Sequence, residues 1–222
     1  MKYTAKDIAH ILDLSVDDAE GVVIEQLLTD SRKLVFPVQT LFFALPGPRR
    51  DGHEFIESLY DQGVRGFVVN KQMDLLKWKA YCLGAVFFEV SNCLTALQKI
   101  ATHHRSHFNL PVIGITGSNG KTVVKEWLYQ LLNHAYKIVR SPRSYNSQIG
   151  VPLSVWKMND LDELAIFEAG ISTTHEMEHL VPIIKPTIGV LTHMGHAHAE
   201  GFAGISQKIH EKLRLFETVE TL

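Results

Sequence analysis

Two cysteines in 222 residues, Cys82 and Cys93, are too few for a disulfide framework or a thiolate zinc site. No apolar run approaches the length of a membrane span, and no N-terminal stretch has the build of a signal peptide. Excess positive charge is missing as well. The formal net charge of −2 leaves no surplus of cations to displace counterions, which argues against nucleic acid as the main partner. Internal repeats and low-complexity tracts are also lacking. What remains is ordinary globular material, 45% hydrophobic and 21% charged, long enough for one large domain or two modest ones. A cytoplasmic protein is expected.

The chain reads as an α/β protein. In "TAKDIAHILDL" the apolar residues Ile8, Ile11 and Leu12 recur at helical spacing, with Thr4 placed to cap the helix. "TLFFAL", "VRGFVVN" and "AVFFEV" are short apolar runs rich in β-branched and aromatic residues, hence buried strands. They predict a small α/β domain over residues 1–92. A helix-like stretch, 93–108, ends before Pro111 and links it to a second domain over 93–222. There, "VIGIT", "KIVRS", "LAIFEA" and "TIGVLTHM" alternate with helical segments, the pattern of a parallel sheet. A last helix is expected over 204–219. A domain stopping so soon after its fourth strand is expected to be incomplete, a module of a longer polypeptide.

"VIGITGSNGKTVVKE", residues 112–126, has the build of a phosphate-binding loop without the usual spacing. The common pattern needs four residues between its glycines, and Gly117 and Gly120 have two. The physical recipe is nevertheless complete: a strand, a turn of small residues (Gly117, Ser118, Asn119, Gly120), then Lys121 and Thr122 opening an amphipathic helix. Backbone N–H groups at the helix start face an anion, Lys121 neutralises it, and the Thr122 hydroxyl can reach Mg²⁺. An ordinary strand-to-helix turn is the competing reading.

Two other features carry chemistry. "HEMEH", His175 to His179, matches H-E-x-x-H, in which a helix would bring two histidines to one face for zinc, with Glu176 as general base. It falls in a short crossover helix of a chain with 12 histidines, so a solvated helix face is favoured. Glu168 and the run from His193 to His198 lie at the carboxyl ends of predicted strands, where parallel α/β sheets bind ligands. A carboxylate there is a natural Mg²⁺ ligand, although a solvated strand end would look the same.

"GITGSNGKT" resembles the ATP loop of the Mur ligases and folylpolyglutamate synthases, T-G-x-x-G-K-[ST], matched by Thr116, Gly117, Gly120, Lys121 and Thr122. Four further segments agree in order. Residues 29–56 resemble the UDP-sugar-binding N-terminal domain of the ligases that add the third residue and the terminal dipeptide of the peptidoglycan stem. "SYNSQIGVPLS" resembles N-x-x-I-G-V-P-L of the dipeptide-adding branch, "FEAGISTTHEMEHL" its E-x-G-x-x-x-x-G-E-I segment, and "HAHAEGFAGISQKIHEK" its A-H-L-E-G-F segment with a following lysine. The matches run from about residue 4 to 216.

The resemblance implies a UDP-sugar-binding domain followed by an incomplete, P-loop-type ATP-binding domain. It implies an ATP- and Mg²⁺-dependent ligase acting on UDP-N-acetylmuramoyl-tripeptide and D-alanyl-D-alanine through an acyl phosphate. Carried onto this sequence, it places Thr116 to Thr122 on ATP, with Lys121 on its phosphates and Thr122 on Mg²⁺. Glu168 and His198 become metal-site residues. Lys212, fourteen residues after His198, falls where the family has a lysine carbamylated by CO₂. Ser31 and Arg32 fall where the uridine is met, and Asn146 where the family meets the nucleotide-sugar substrate or active-site water.

There are departures. Val123 replaces a common second threonine, His193 a usual asparagine, and "THEM" loses a glycine while keeping Glu176. Arg214 stands where an acidic residue is frequent. The family's third domain, which meets the dipeptide, and the rest of its central domain are missing from these residues. The ligase that adds the third stem residue and a non-catalytic nucleotide- or UDP-sugar-binding module remain the alternatives.

Overall fold

The computed structural model describes residues 1–15, 21–47, 50–72, 75–195, 201–217 and 219. It divides into two compact units, Met1–Ile100 and Ala101–Leu222.

The first unit opens with β1 (Tyr3–Thr4) and α1 (Ala5–Ile11). Thr4 caps α1 in a reciprocal capping box. Its hydroxyl accepts from Asp7 N–H at 3.2 Å, and its own N–H donates to Asp7 Oδ2 at 2.7 Å. Then come β2 (Val23–Ile24), β3 (Gln26–Leu28), β4 (Thr40–Phe43), α2 (Ile56–Asp61), β5 (Gly66–Asn70), α3 (Leu75–Tyr81), β6 (Val86–Val90) and α4 (Cys93–Ser106). β1 pairs with β2 antiparallel, and β3-β4-β5-β6 form a parallel sheet in that order. The predicted strands of this half are β4, β5 and β6. All four residues of β4 are buried, as a strand covered on both faces requires. Phe42, Phe67 and Phe87 from neighbouring strands meet Ile56, Leu59 and Trp78 of the helices in one core, with Phe67 and Phe87 stacked at 5.3 Å. The helix predicted over 93–108 is α4, and the division between the units falls within it.

The second unit contains β7 (Val112–Thr116), α5 (Lys121–Leu132), β8 (Ile138–Arg140), α6 (Gly150–Val155), β9 (Leu164–Glu168), α7 (Glu176–Ile184), β10 (Ile188–Leu191) and α8 (Ile205–Leu213). The four strands are parallel in the order β10-β7-β9-β8, matching the four predicted from sequence. The last helix is shorter than predicted, since α8 tightens into a 3₁₀ turn at Arg214–Phe216.

Alternation along the strands sorts the side chains by face. Val112, Val139, Ala165 and Phe167 join α6, α7 and Leu215 in one core. Ile113, Ile115, Leu164 and Ile166 join Val124, Leu128 and Leu132 of α5 in another. Glu168 continues the Leu164–Ile166 parity and therefore turns toward α5, the helix that follows the glycine turn. No helix among the described residues is long and apolar enough to cross a membrane.

Candidate functional site

The glycine turn leaves β7 at Thr116 and enters α5 at Lys121. Gly117 has φ +144° and Gly120 φ +86°, backbone conformations that side chains disfavour. The segment following β10 grips the turn. Ser118 N–H donates to the His193 carbonyl at 2.8 Å, and Thr192 Oγ1 donates toward the carbonyls of Asn119 at 2.7 Å and Thr116 at 3.1 Å. Thr116 is buried, its hydroxyl donating to the Ala169 carbonyl at 2.9 Å. Gly120 sits at the N-cap with no side-chain cap hydrogen bond, so no capping side chain occupies the N–H groups of the first helical turn. A helix start in this condition is an anion site. Lys121 folds back over the turn, its ammonium donating to the Gly117 carbonyl at 2.9 Å. Burial holds the Lys121 amine below the ordinary lysine range, with Glu168 pulling the other way and Lys208 adding to the lowering.

Glu168 is fully buried at the end of β9. Thr122 Oγ1 donates to its Oε2 at 3.0 Å, and Asn146 Nδ2 lies 3.4 Å from the same oxygen. Asn146 can come this close because residue 170 is glycine. A Cβ on Gly170 would stand 2.8 Å from Asn146 Oδ1. On the other carboxylate oxygen, Lys125 Nζ lies 2.9 Å from Oε1 as an ion pair.

Lys212 is 2% exposed, and burial pushes its amine down to about 8, with the Lys121 and Lys208 charges adding and Glu176 opposing. Lys208, 1% exposed, donates to the Gly195 carbonyl at 2.6 Å, the same oxygen that accepts from Ser118 Oγ at 3.0 Å.

The structure thus gathers Thr116 through Thr122, Asn146 and Glu168, and couples Lys212 electrostatically to Lys121. His198 lies outside the described residues. Ser31 and Arg32 belong to the first unit, in a 3₁₀ turn following β3. Asp30 caps that turn and holds the Arg32 guanidinium through two contacts at 2.8 Å.

Sequence reasoning missed Lys125 and Lys208. Lys125 follows Thr122 by one helical turn on the face carrying Val124 and Leu128, an odd place for a cation, and that was its only signal. The zinc-protease geometry does not form. His175 stands outside α7 at φ +66° and pairs with Glu178 at 2.9 Å, while the Glu176 carboxylate accepts from the N–H of Thr173 at 3.1 Å. Among the described residues no three His, Cys, Asp or Glu side chains group as a metal cluster.

Residues 115–221 match the Mur ligase middle domain. The UDP-N-acetylmuramoyl-tripeptide–D-alanyl-D-alanine ligase of Borreliella burgdorferi is 35% identical over 178 residues, covering 79% of this chain and 38% of that protein. The protein of the same description from Bacillus subtilis is 33% identical over 202 residues, 90% of this chain and 43% of its own length. The chain belongs to the Mur ligase family.

Solved Mur ligases share the fold. The MurF ligase of Thermotoga maritima, determined in complex with ADP, superposes with a TM-score of 0.75 at 27% identity, over 89% of this chain and 45% of its own. MurF from Acinetobacter baumannii gives 0.86 at 22% identity, over 99% of this chain and 47% of its own, a likeness of fold. The chain spans less than half the length of these relatives.

Proposed function

We propose that the chain is the UDP-sugar- and nucleotide-binding part of a cytoplasmic, ATP-dependent ligase that joins D-alanyl-D-alanine to UDP-N-acetylmuramoyl-tripeptide. One observation carries the reading. An uncapped glycine turn opens a helix whose second residue, Thr122, donates to the buried carboxylate of Glu168 at 3.0 Å. The relatives named for this activity, and the N-x-x-I-G-V-P-L match at Asn146, favour it over the ligase of the third stem residue.

The site's donors fit Mg²⁺. They are hard oxygens, Oε2 of the Glu168 carboxylate and the Thr122 hydroxyl, 3.0 Å apart, while Oε1 is paired with Lys125. Thr122 and Glu168 would hold the ion, with His198 and Lys212 as further candidates. Bound there, it would neutralise charge building on the transferred phosphoryl group.

The chain's own residues do the rest. The turn N–H groups seat the phosphates, and Lys121 exchanges its loop carbonyls for phosphate oxygens. That placement and neutralisation are what phosphoryl transfer to a carboxylate requires; no protein nucleophile is needed. The acyl phosphate then loses phosphate as the D-alanyl-D-alanine amine attacks and the amide forms. Asn146 holds the substrate side of Glu168. Ser31 and Arg32 meet the uridine, Arg32 after release from Asp30. Lys212, as a carbamate, would present an anion in place of an ammonium that repels metal.

Calorimetric titration separates the outcomes. ADP with Mg²⁺ and UDP-N-acetylmuramoyl-tripeptide should each give saturable heat, and absence of the ADP heat would remove the nucleotide reading. At less than half the relatives' length, this chain alone is expected to bind without releasing phosphate from ATP and D-alanyl-D-alanine.

A further inference from the structure

Lys125, one turn along α5 from Thr122, has no accessible surface. Its ammonium has more oxygen partners than N–H bonds. It ion-pairs with Glu168 Oε1 at 2.9 Å and Glu126 Oε1 at 3.2 Å, and it donates to the carbonyls of Ser141 at 2.8 Å and of Arg143. These partners come from three places: the end of β9, the backbone that follows β8, and the next residue of α5.

The backbone contact is informative in itself. Arg143 holds φ +50°, a left-handed conformation that a residue with a Cβ disfavours, and its carbonyl is one of those turned onto the ammonium. Three residues later, Asn146 places Nδ2 3.4 Å from Glu168 Oε2, the oxygen that also accepts from Thr122. The two carboxylate oxygens are therefore divided. Oε1 belongs to Lys125, and Oε2 faces Thr122 and Asn146. A neutral side chain could fill the same volume, and replacing a buried ion pair by apolar residues is often tolerated for stability alone.

We infer that Lys125 is a positioning residue that occupies Glu168 Oε1, so that the carboxylate offers one oxygen to the phosphate-turn side, and that clamps the 141–143 backbone to keep Asn146 on that oxygen. The metal half of this inference rests on the nucleotide-and-metal reading given above; the backbone half does not.

Two variants of this chain test it, Lys125→Met and Lys125→Gln. The second keeps a donor for the carbonyls should the first fail to fold, and circular dichroism checks both. Mn²⁺ binding without nucleotide is read by electron paramagnetic resonance. Loss of the ammonium releases Oε1 and removes a repelling charge, so Mn²⁺ should bind at least tenfold more tightly than in the unmodified chain. A merely structural defect would weaken it. Limited trypsinolysis reads the backbone half. Arg143 is exposed and its carbonyl is the group trypsin attacks, so cleavage after Arg143 should quicken at least tenfold when the clamp is gone. Either readout remaining at the unmodified level in a folded variant would overturn the inference. If the unmodified chain itself binds no Mn²⁺ with ADP, the nucleotide reading falls and the trypsin rates alone decide the role of Lys125.

Discussion

Thr192 occupies the space that a side chain on Gly117 would need. A Cβ built on Gly117 would stand 2.0 Å from Thr192 Oγ1 and 3.1 Å from Thr192 Cβ. The hydroxyl that closes this space also donates toward the carbonyls of Thr116 and Asn119, on either side of the glycine. The turn is thus shaped by two strands at once, and its first glycine is fixed by a clash as well as by φ +144°.

Gly117→Ala should therefore destabilise the chain by about 3 kcal/mol, combining backbone strain with overpacking. It should also abolish detectable ADP binding. Adding Thr192→Ala removes the nearest clashing atom and should recover part of the stability, leaving the strain. Urea denaturation of the two single variants and the double variant checks this. Simple additivity would mean that the two residues do not meet.

Lys121→Ala is expected to weaken ADP·Mg²⁺ binding at least a hundredfold while UDP-N-acetylmuramoyl-tripeptide binding stays within twofold. The ammonium sits on loop carbonyls of the second unit, whereas Ser31 and Arg32 belong to the first. Paired calorimetric titrations read both ligands. Loss of both together would contradict the division of labour between the units.

Most of the fold was legible because its strands bury both faces. "VIGIT" and "LAIFE" are entirely buried in β7 and β9, and such runs announce themselves by composition. The two- and three-residue strands β1, β2 and β3 carry too few residues to show a period and were not foreseen. In the site, the glycine turn was legible from its strand-and-helix frame, and Glu168 from its place at a strand end. Lys125 was not, because its meaning lies in the carbonyls of Ser141 and Arg143, sixteen and eighteen residues further along the chain. No spacing rule links a helix interior to the backbone of a later loop.

Lys212 should carry a carbamate. Its amine is buried and pushed down to about 8, so far more of it is neutral near neutral pH than in an ordinary lysine, and the neutral amine is the form that adds CO₂. Incubation with ¹³C-bicarbonate should give a carbamate carbonyl signal in the NMR spectrum that Lys212→Arg lacks. Identical spectra from the two proteins would leave Lys212 an ammonium and remove it from the metal site.

His104 should make stability fall as the solution is acidified. It is 1% exposed, with Nε2 3.0 Å from the Met158 carbonyl and its ring packed on Trp156 and Phe108. Burial pushes its pKa from 6.5 down to about 4, and the neighbouring charges of His107 and His103 act in the same direction. The unfolded chain therefore takes up a proton at higher pH than the folded one. This contribution is complete above about pH 6.5 and is lost as pH falls toward about 4. Over that window the shift corresponds to about 3 kcal/mol. His104→Gln keeps a donor for the Met158 carbonyl and cannot titrate. Urea denaturation at pH 7.5 and 4.5 should show the unmodified chain losing about 2.5 kcal/mol more than the variant. Equal losses would mean that the imidazole is protonated in place, inside the core that packs around it.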